Sequence, residues 1–333
     1  MRIVLLILIV GLTAFQSLGQ SPLALVKKDG KYGFLNTDGK LVVPIQFEDA
    51  YSFHDALAPV KLDGKWGYIN LTGKTVIPHQ FEEAVWFWEG LGAVKKGDFW
   101  GFIDKTGKTV IPFEYDYAFA YSEGLAAVVK GECSGYIDKS GNTVIPFIYS
   151  DAYDFYKGIG PVTDTSGHIK FIDKTHKEIE KPYLNQLIIK KAKYLTYYGR
   201  NEKIGIKNKN GKVLTEPKYD ALSGFKYGKA FYKIDDSKYG LVNKCGRVIF
   251  NPMYDDAGGF NEKLAPVKIN GFWGYIHHRK GFQIPPKFIQ AGSFNNKMAP
   301  VANEDGLWGF INKEGKLVVG YQYEEHSDMG FHD

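Results

Sequence analysis

The chain has 333 residues, 44% of them apolar, and a formal net charge of +5 from 42 basic and 37 acidic side chains. That apolar share is enough for a large buried core and excludes a disordered chain. The small charge excess, with no basic run denser than Lys190-Lys191 or His278-Arg279-Lys280, excludes a surface that tracks a nucleic-acid backbone.

Residues 1–19 read as a signal peptide. Arg2 supplies the positive start, Ile3 to Phe15 the apolar stretch, and Ser17 and Gly19 the small residues before cleavage near Gly19-Gln20. No later stretch reaches the ~20 apolar residues of a transmembrane helix. The expected mature chain, 20–333, is therefore exported, whether periplasmic, on the outer surface or secreted. Its two cysteines, Cys133 and Cys245, are too few for a disulfide framework.

From there on, one unit repeats. Leu57-Ala-Pro-Val-Lys-Leu-Asp-Gly-Lys-Trp-Gly-Tyr-Ile-Asn recurs some two hundred residues later as Leu264-Ala-Pro-Val-Lys-Ile-Asn-Gly-Phe-Trp-Gly-Tyr-Ile-His. The register is set by Gly33, Gly67, Gly101, Gly135, Lys170 in a degenerate copy, Gly205, Gly240, Gly274 and Gly309, in steps of 34 or 35 residues. These positions number units 1 to 9. The high content of Tyr, Phe, Trp and Gly suits many short strands and tight turns.

Within unit 3, Leu91–Lys95 and Trp100–Asp104 read as strands one and two, and Thr109–Pro112 as strand three. The link 105–108 has the length and glycine of a hairpin loop. The proline is expected to end strand three. The stretch after the following aromatic, such as Glu82–Gly90, is expected to be a connector or a short helical turn.

Along strand two of unit 2, Trp66 and Tyr68 fall on one face and Gly67 and Ile69 on the other. A three-stranded sheet apolar on both faces must be packed between neighbours. The expected fold is all-β, a tandem array of about nine three-stranded antiparallel units. An open β-solenoid or superhelix is favoured over a closed propeller-like ring, because propeller blades usually have four strands and rings usually hold 4–8 blades. The weakest copies lie at 159–203, where Lys170 and His176 replace glycines and Ile188–Tyr198 lacks the usual Ala-and-aromatic segment.

The segment Gly64-Lys-Trp-Gly-Tyr-Ile-Asn-Leu-Thr-Gly-Lys-Thr-Val-Ile-Pro78 resembles the WG (KWG) repeat of bacterial proteins, in register over about residues 24–325. The resemblance implies an exported or envelope-associated bacterial repeat protein, with no activity or defined site attached. The Gly-Lys-Trp lead is also partly similar to choline-binding repeats, but those units are shorter and carry further aromatics where this one has Gly.

Acids recur at fixed phases: Asp104, Asp138 and Asp173 after strand two, and Asp49, Glu83, Asp151 and Asp256 before an alanine. Recurrence points to turn capping and not to a catalytic pair, which needs a unique pocket. The eight histidines show no metal-ligand spacing, and His277-His278 would put one ring on each side of a strand. No glycine-rich loop leads into a helix, so no cofactor is expected.

Trp66, Trp100, Trp273 and Trp308, with Gly67, Gly101, Gly274 and Gly309, are expected to form the structural repeat core. Trp86, Trp88, Tyr117, Phe119 and Tyr121 break the phase and form the candidate contact surface. The expectation is a non-enzymatic binding or scaffold protein for a protein or peptide. The alternatives are a cell-surface glycan-binding module and a hydrolase on a propeller-like scaffold.

Overall fold

The computed structural model describes residues 23–179, 194–199, 202–208, 210–235 and 238–326. The expected leader and much of the degenerate stretch lie outside the described residues. All named elements are strands, gathered into small antiparallel sheets, one per unit.

The sheets have a fourth strand that the sequence pattern concealed. In unit 2 the order is Asp49–Ala50, Leu57–Leu62, Lys65–Asn70, Thr75–Phe81; in unit 3 it is Glu83–Trp88, Leu91–Lys96, Phe99–Asp104, Thr109–Tyr115. The segment expected as a connector or helical turn is an extended edge strand. It is two residues long in unit 2 and six in unit 3, where a register shift between Ala84 and Phe87 turns both side chains inward. Unit 6 shows three strands among the described residues.

Strand three does not end at the proline. It runs on to Phe81 or Tyr115, and the proline sits at a bulge within it. Trp66 pairs with Phe81 and Tyr68 with Ile77, so one residue on strand two faces three on strand three. A bulge leaves a residue outside the ladder, where the missing N–H of proline costs nothing.

The same bulge explains the glycine. A Cβ on Gly67 would lie 2.7 Å from the Ile77 carbonyl oxygen, and one on Gly101 would lie 2.7 Å from that of Ile111. Trp-Gly and Ile-Pro are thus two halves of one feature: the chain's own third strand occupies the space that a side chain at the glycine would need.

Burial alternates between joints, as the two apolar faces require. Trp66, Tyr68 and Ile77 of unit 2 pack with Ala84, Phe87, Val94 and Ile103 of unit 3. Ile69 of the same strand packs the other way, with Phe34 and Val43 of unit 1. Four of the joints also hold a ring pair of one kind, Tyr68–Phe87 at 4.8 Å, Phe102–Tyr121 at 5.0 Å, Tyr136–Phe155 at 4.9 Å and Tyr275–Phe294 at 4.9 Å between centroids.

The first and last units meet in the same manner. Glu325–His326 pairs antiparallel with Ala24–Lys28 and stands as the fourth strand of the unit 1 sheet. Ala24, Val26 and Leu35 share a buried cluster with Met298, Phe310, Val319 and Tyr323. Gly39 packs on Val319, as Gly73 packs on Val43 and Gly107 on Ile77 at internal joints.

Unit 5 keeps the plan despite its altered residues. Its sheet comprises Asp151–Ala152, Ile159–Thr163, Ile169–Asp173 and Glu178–Ile179. His176 adopts the positive φ of the turn glycine it replaces, and its Nε2 lies 2.8 Å from the Tyr149 hydroxyl of unit 4.

Candidate functional site

The recurring acids belong to the repeat. Asp104 Oδ1 accepts the backbone N–H groups of Thr106 and Lys108, at 2.8 and 3.1 Å, and Asp138 does the same for Ser140 and Asn142. Asn36, Asn70, Asn208 and Asn243 make the identical turn without a charge. Hydrogen bonding, led by the Thr106 hydroxyl, holds the Asp104 carboxyl below its usual range.

A second set of acids ties the hairpins of units 2 to 4 to the segment before them. Glu48, Glu82 and Asp116 accept from the N–H groups of Gly64, Gly97 and Gly131. A third set bridges units: Asp55, Glu89 and Glu123 accept from Gly90, Gly124 and Gly158 one unit on, and pair with Lys105, Lys139 and Lys174. Among the described residues no group of three or more His, Cys, Asp or Glu side chains could hold a metal ion.

The repeat tryptophans are packing residues. Trp66 and Trp100 are buried, the latter 2% exposed, whereas Trp273 and Trp308 are half-buried against their joint clusters. Gly274 and Gly309 face the carbonyls of Ile284 and Val319, as Gly67 and Gly101 face theirs.

Four of the five phase-breaking aromatics do lie at the surface. Trp86 is 37% exposed, Trp88 44%, and Tyr117 and Phe119 are comparable. Tyr121 is the exception and is withdrawn from the candidate surface. It is 1% exposed, packs on Phe102 with the ring planes 60° apart, and donates its hydroxyl to the Asp138 carbonyl at 2.8 Å. At other joints the tyrosine stands on strand two: Tyr68, Tyr136 and Tyr275 donate to the carbonyls of Val85, Tyr153 and Gly292. Phe102 lacks that hydroxyl, and Tyr121 supplies one from the facing strand.

The fourth strands add aromatics that the sequence reading passed over. Tyr51 lies flat on Trp66, with centroids 5.2 Å apart and planes 8° apart, and touches Trp86 at 5.1 Å. His54 packs on Trp86 and Trp88 at 5.7 and 5.0 Å. Tyr117 leans on Trp100 and on Phe119 at 5.1 and 4.9 Å. Tyr153 and Tyr156 are exposed at the same phases of unit 5. The signal was present in the residue after the recurring Ala of units 2, 4 and 5, as in Ala50-Tyr51 and Ala152-Tyr153, but the edge strand before it was needed to place it outward.

Exposed rings thus run across units 2 to 5. Burial raises the Tyr51 and Tyr117 hydroxyls above their usual range, and Glu83 adds to both. Asp154, beside Tyr153, is exposed by surface area, yet desolvation raises its carboxyl. At the matching phases, units 7 to 9 carry Ser223-Gly224, Gly258-Gly259 and Gly292-Ser293. The charge is uneven too: residues 23–179 hold 17 basic and 21 acidic side chains, and residues 180–333 hold 24 and 16.

His277 and His278 do not lie on opposite sides. Their ring centroids are 4.3 Å apart, because the strand ends at His277 and His278 opens the turn. His277 Nδ1 accepts the Arg279 N–H, in the role of the turn Asp or Asn.

Sheet, bulge, turn acid and joint pair together define an all-β tandem-repeat protein built of small antiparallel sheets, with no helix among the described residues. The profile of the family described as "WG containing repeat" matches residues 32–66, 66–98, 100–132, 135–164, 204–237, 239–271, 273–306 and 308–328. The chain belongs to that family.

Among solved structures, a eukaryotic initiation factor aligns over 92% of this chain and 98% of its own, at 9% identity and a TM-score of 0.53; this likeness concerns the fold alone. The WD40 beta propeller domain of Doa1 aligns over 66% and 88% at 14% identity and a TM-score of 0.31. BamB from Moraxella catarrhalis aligns over 92% and 87% at 8% identity and 0.29. No curated protein sequence matches the chain. No helix of the described residues is long and apolar enough to cross a membrane.

Proposed function

We propose that the nine units close into a propeller-like ring, and that the chain is an exported, non-catalytic binding protein whose aromatic strip takes an extended protein or peptide segment. The observation that carries the binding reading is the exposed set Tyr51, Trp86, Trp88, Tyr117, Phe119, Tyr153 and Tyr156 on or just after the edge strands of units 2 to 5. Large rigid rings lose little entropy on binding and dominate contact energies. The acidic balance of residues 23–179 favours a partner carrying lysine or arginine, whose cations seat on aromatic faces. Closure, in place of the open array favoured from the repeat length, is supported by the pairing of Glu325–His326 with Ala24–Lys28 and by the cluster joining units 9 and 1. A non-catalytic role is supported by the engagement of the recurring carboxylates in turns and joints. Export rests on the leader pattern of residues 1–19.

A second reading, glycan binding, is favoured by the flat exposed faces of Trp86 and Trp88. Both are tested by presenting the purified chain to a peptide library and a glycan array, beside Trp86→Ala/Trp88→Ala. The proposal expects enrichment of basic peptides that the double variant loses while its melting temperature stays unchanged. A tryptophan-dependent signal on glycans instead would replace the peptide reading, and peptide binding indifferent to both tryptophans would overturn the site.

A further inference from the structure

The links between strands sort charge to the two ends of the sheets. Strands one and two turn at one end, where Leu62 faces Lys65 in unit 2. Strands two and three turn at the other, beyond Leu57 and Asn70, and so do the edge strand and strand one. Among the described residues the links from strand one to strand two hold nine acidic and two basic side chains. The links from strand two to strand three hold fourteen basic and two acidic ones.

That second end forms a continuous rim. The turn glycine of one unit packs on strand three of the unit before at six joints, Gly141 on Ile111, Gly315 on Ile284 and Gly39 on Val319 among them. Four joints add an ion pair there, such as Lys139–Glu89 at 3.1 Å and Lys313–Glu262 at 2.7 Å. Between units 7 and 8 a ring contact of Tyr227 and His278, 5.0 Å between centroids, takes that place. With the edge-strand links, their bridging acids and the turn aspartates all counted, the rim keeps eighteen basic side chains to ten acidic.

One pattern recurs along it. The residue just before strand three is Lys or Arg in eight units, as at Lys40, Lys74, Lys108 and Lys212, and all eight are exposed. The turn Asn or Asp accepts its backbone N–H, as Asn70 does for Lys74 at 3.0 Å, and leaves the cation to solvent. In seven of those units the first or second residue of strand three is an exposed apolar side chain, such as Leu41, Val76, Val110 and Phe282, at 39–42% exposure. Packing between units explains the recurrence of buried residues. It does not explain side chains that face water.

We propose that this rim docks on a membrane surface of anionic lipids. Cations gathered at one surface are drawn to anionic headgroups, and an apolar side chain beside each cation can enter the boundary between headgroups and acyl chains. A second copy laid acidic rim to basic rim would instead set the apolar row against carboxylates. None of these side chains belongs to the aromatic strip, so the membrane reading and the peptide reading fail separately.

The test uses residues 20–333, which keep every described sheet and omit the apolar stretch Ile3 to Phe15. They are sedimented with vesicles of phosphatidylcholine, and with vesicles of phosphatidylcholine mixed with phosphatidylglycerol. Binding is expected to the mixed vesicles alone, and to weaken as salt rises. Lys40→Gln/Lys74→Gln/Lys108→Gln should weaken it at least about tenfold. Leu41→Ser/Val76→Ser/Val110→Ser should also weaken it, and Asp29→Asn/Asp63→Asn on the other rim should leave it unchanged. No binding to either vesicle, equal binding to both, or binding indifferent to the three lysines would overturn the proposal. So would loss with the lysines but not with the apolar residues, which would assign the rim to a soluble polyanion. Self-association that the lysine variant abolishes, without vesicle binding, would assign it to a second copy and overturn the proposal as well.

Discussion

The carboxylate of Glu324 accepts hydrogen bonds from the backbone N–H groups of Asp29 and Gly30, at 3.0 and 3.3 Å, across almost the whole length of the chain. Glu48 does the same for Gly64 within a single unit. The hairpin of unit 1 is therefore completed by the end of unit 9, with the acid that the hairpins of units 2, 3 and 4 draw from the segment just before them.

Glu324→Ala should cost about 1 kcal/mol, since the group is exposed and its bonds are partly screened. Deleting residues 324–333 should cost clearly more, because the fourth strand of the unit 1 sheet goes with it. Thermal unfolding of both variants checks the order; equal melting temperatures for the deletion and the intact chain would contradict it.

Gly101→Ala should destabilise by about 2–3 kcal/mol, because the new methyl meets the Ile111 carbonyl and the Phe113 ring, and the backbone must move. Gly97→Ala meets nothing within 4 Å and should cost only the strain of a positive φ, about 1 kcal/mol. Urea unfolding of the pair separates close approach from conformational freedom.

Tyr121→Phe removes a buried hydroxyl and leaves the Asp138 carbonyl short of a donor, a loss of about 1–2 kcal/mol. Adding Phe102→Tyr transposes the joint to the arrangement of Tyr68 and Phe87, with the hydroxyl directed to the Phe119 carbonyl. The double variant should be more stable than Tyr121→Phe alone, as chemical denaturation would show.

The turn acids predict the acid limb of stability. Asp104, Asp138 and Asp173 have carboxyls held below the usual range, mainly by hydrogen bonds from the side chains of Thr106, Asn142 and Thr175. A lowered folded-state pKa gives stability that is present above the unfolded value, near 4, and lost as pH falls through the folded value. Replacing all three by Asn, as at Asn36 and Asn70, should flatten the fall in melting temperature below about pH 4 and leave neutral stability nearly unchanged.

Much of this was legible in residue order. The equal phase of Trp66 and Trp100 gave their packing role, and the alternation of Trp66, Gly67, Tyr68 and Ile69 gave a sheet buried on both sides. The fourth strand was hidden because Ala84 and Phe87 are both buried at a spacing of three, which masks the strand period. Pro112 looked like a terminus because a bulge has no sequence period of its own. Tyr121 looked irregular for its bulk, when it is the exchanged partner of Phe102. The Tyr227–His278 contact spans most of two units, so no local pattern could announce it.

Ring closure is tested most directly by small-angle scattering of residues 20–333. Closure of the nine units predicts a compact particle with a radius of gyration of about 20 Å, the value for a globule of this length. An open stack of nine sheets at about 10 Å spacing would be roughly 90 Å long. A radius of gyration near 30 Å with an extended distance distribution would contradict the account.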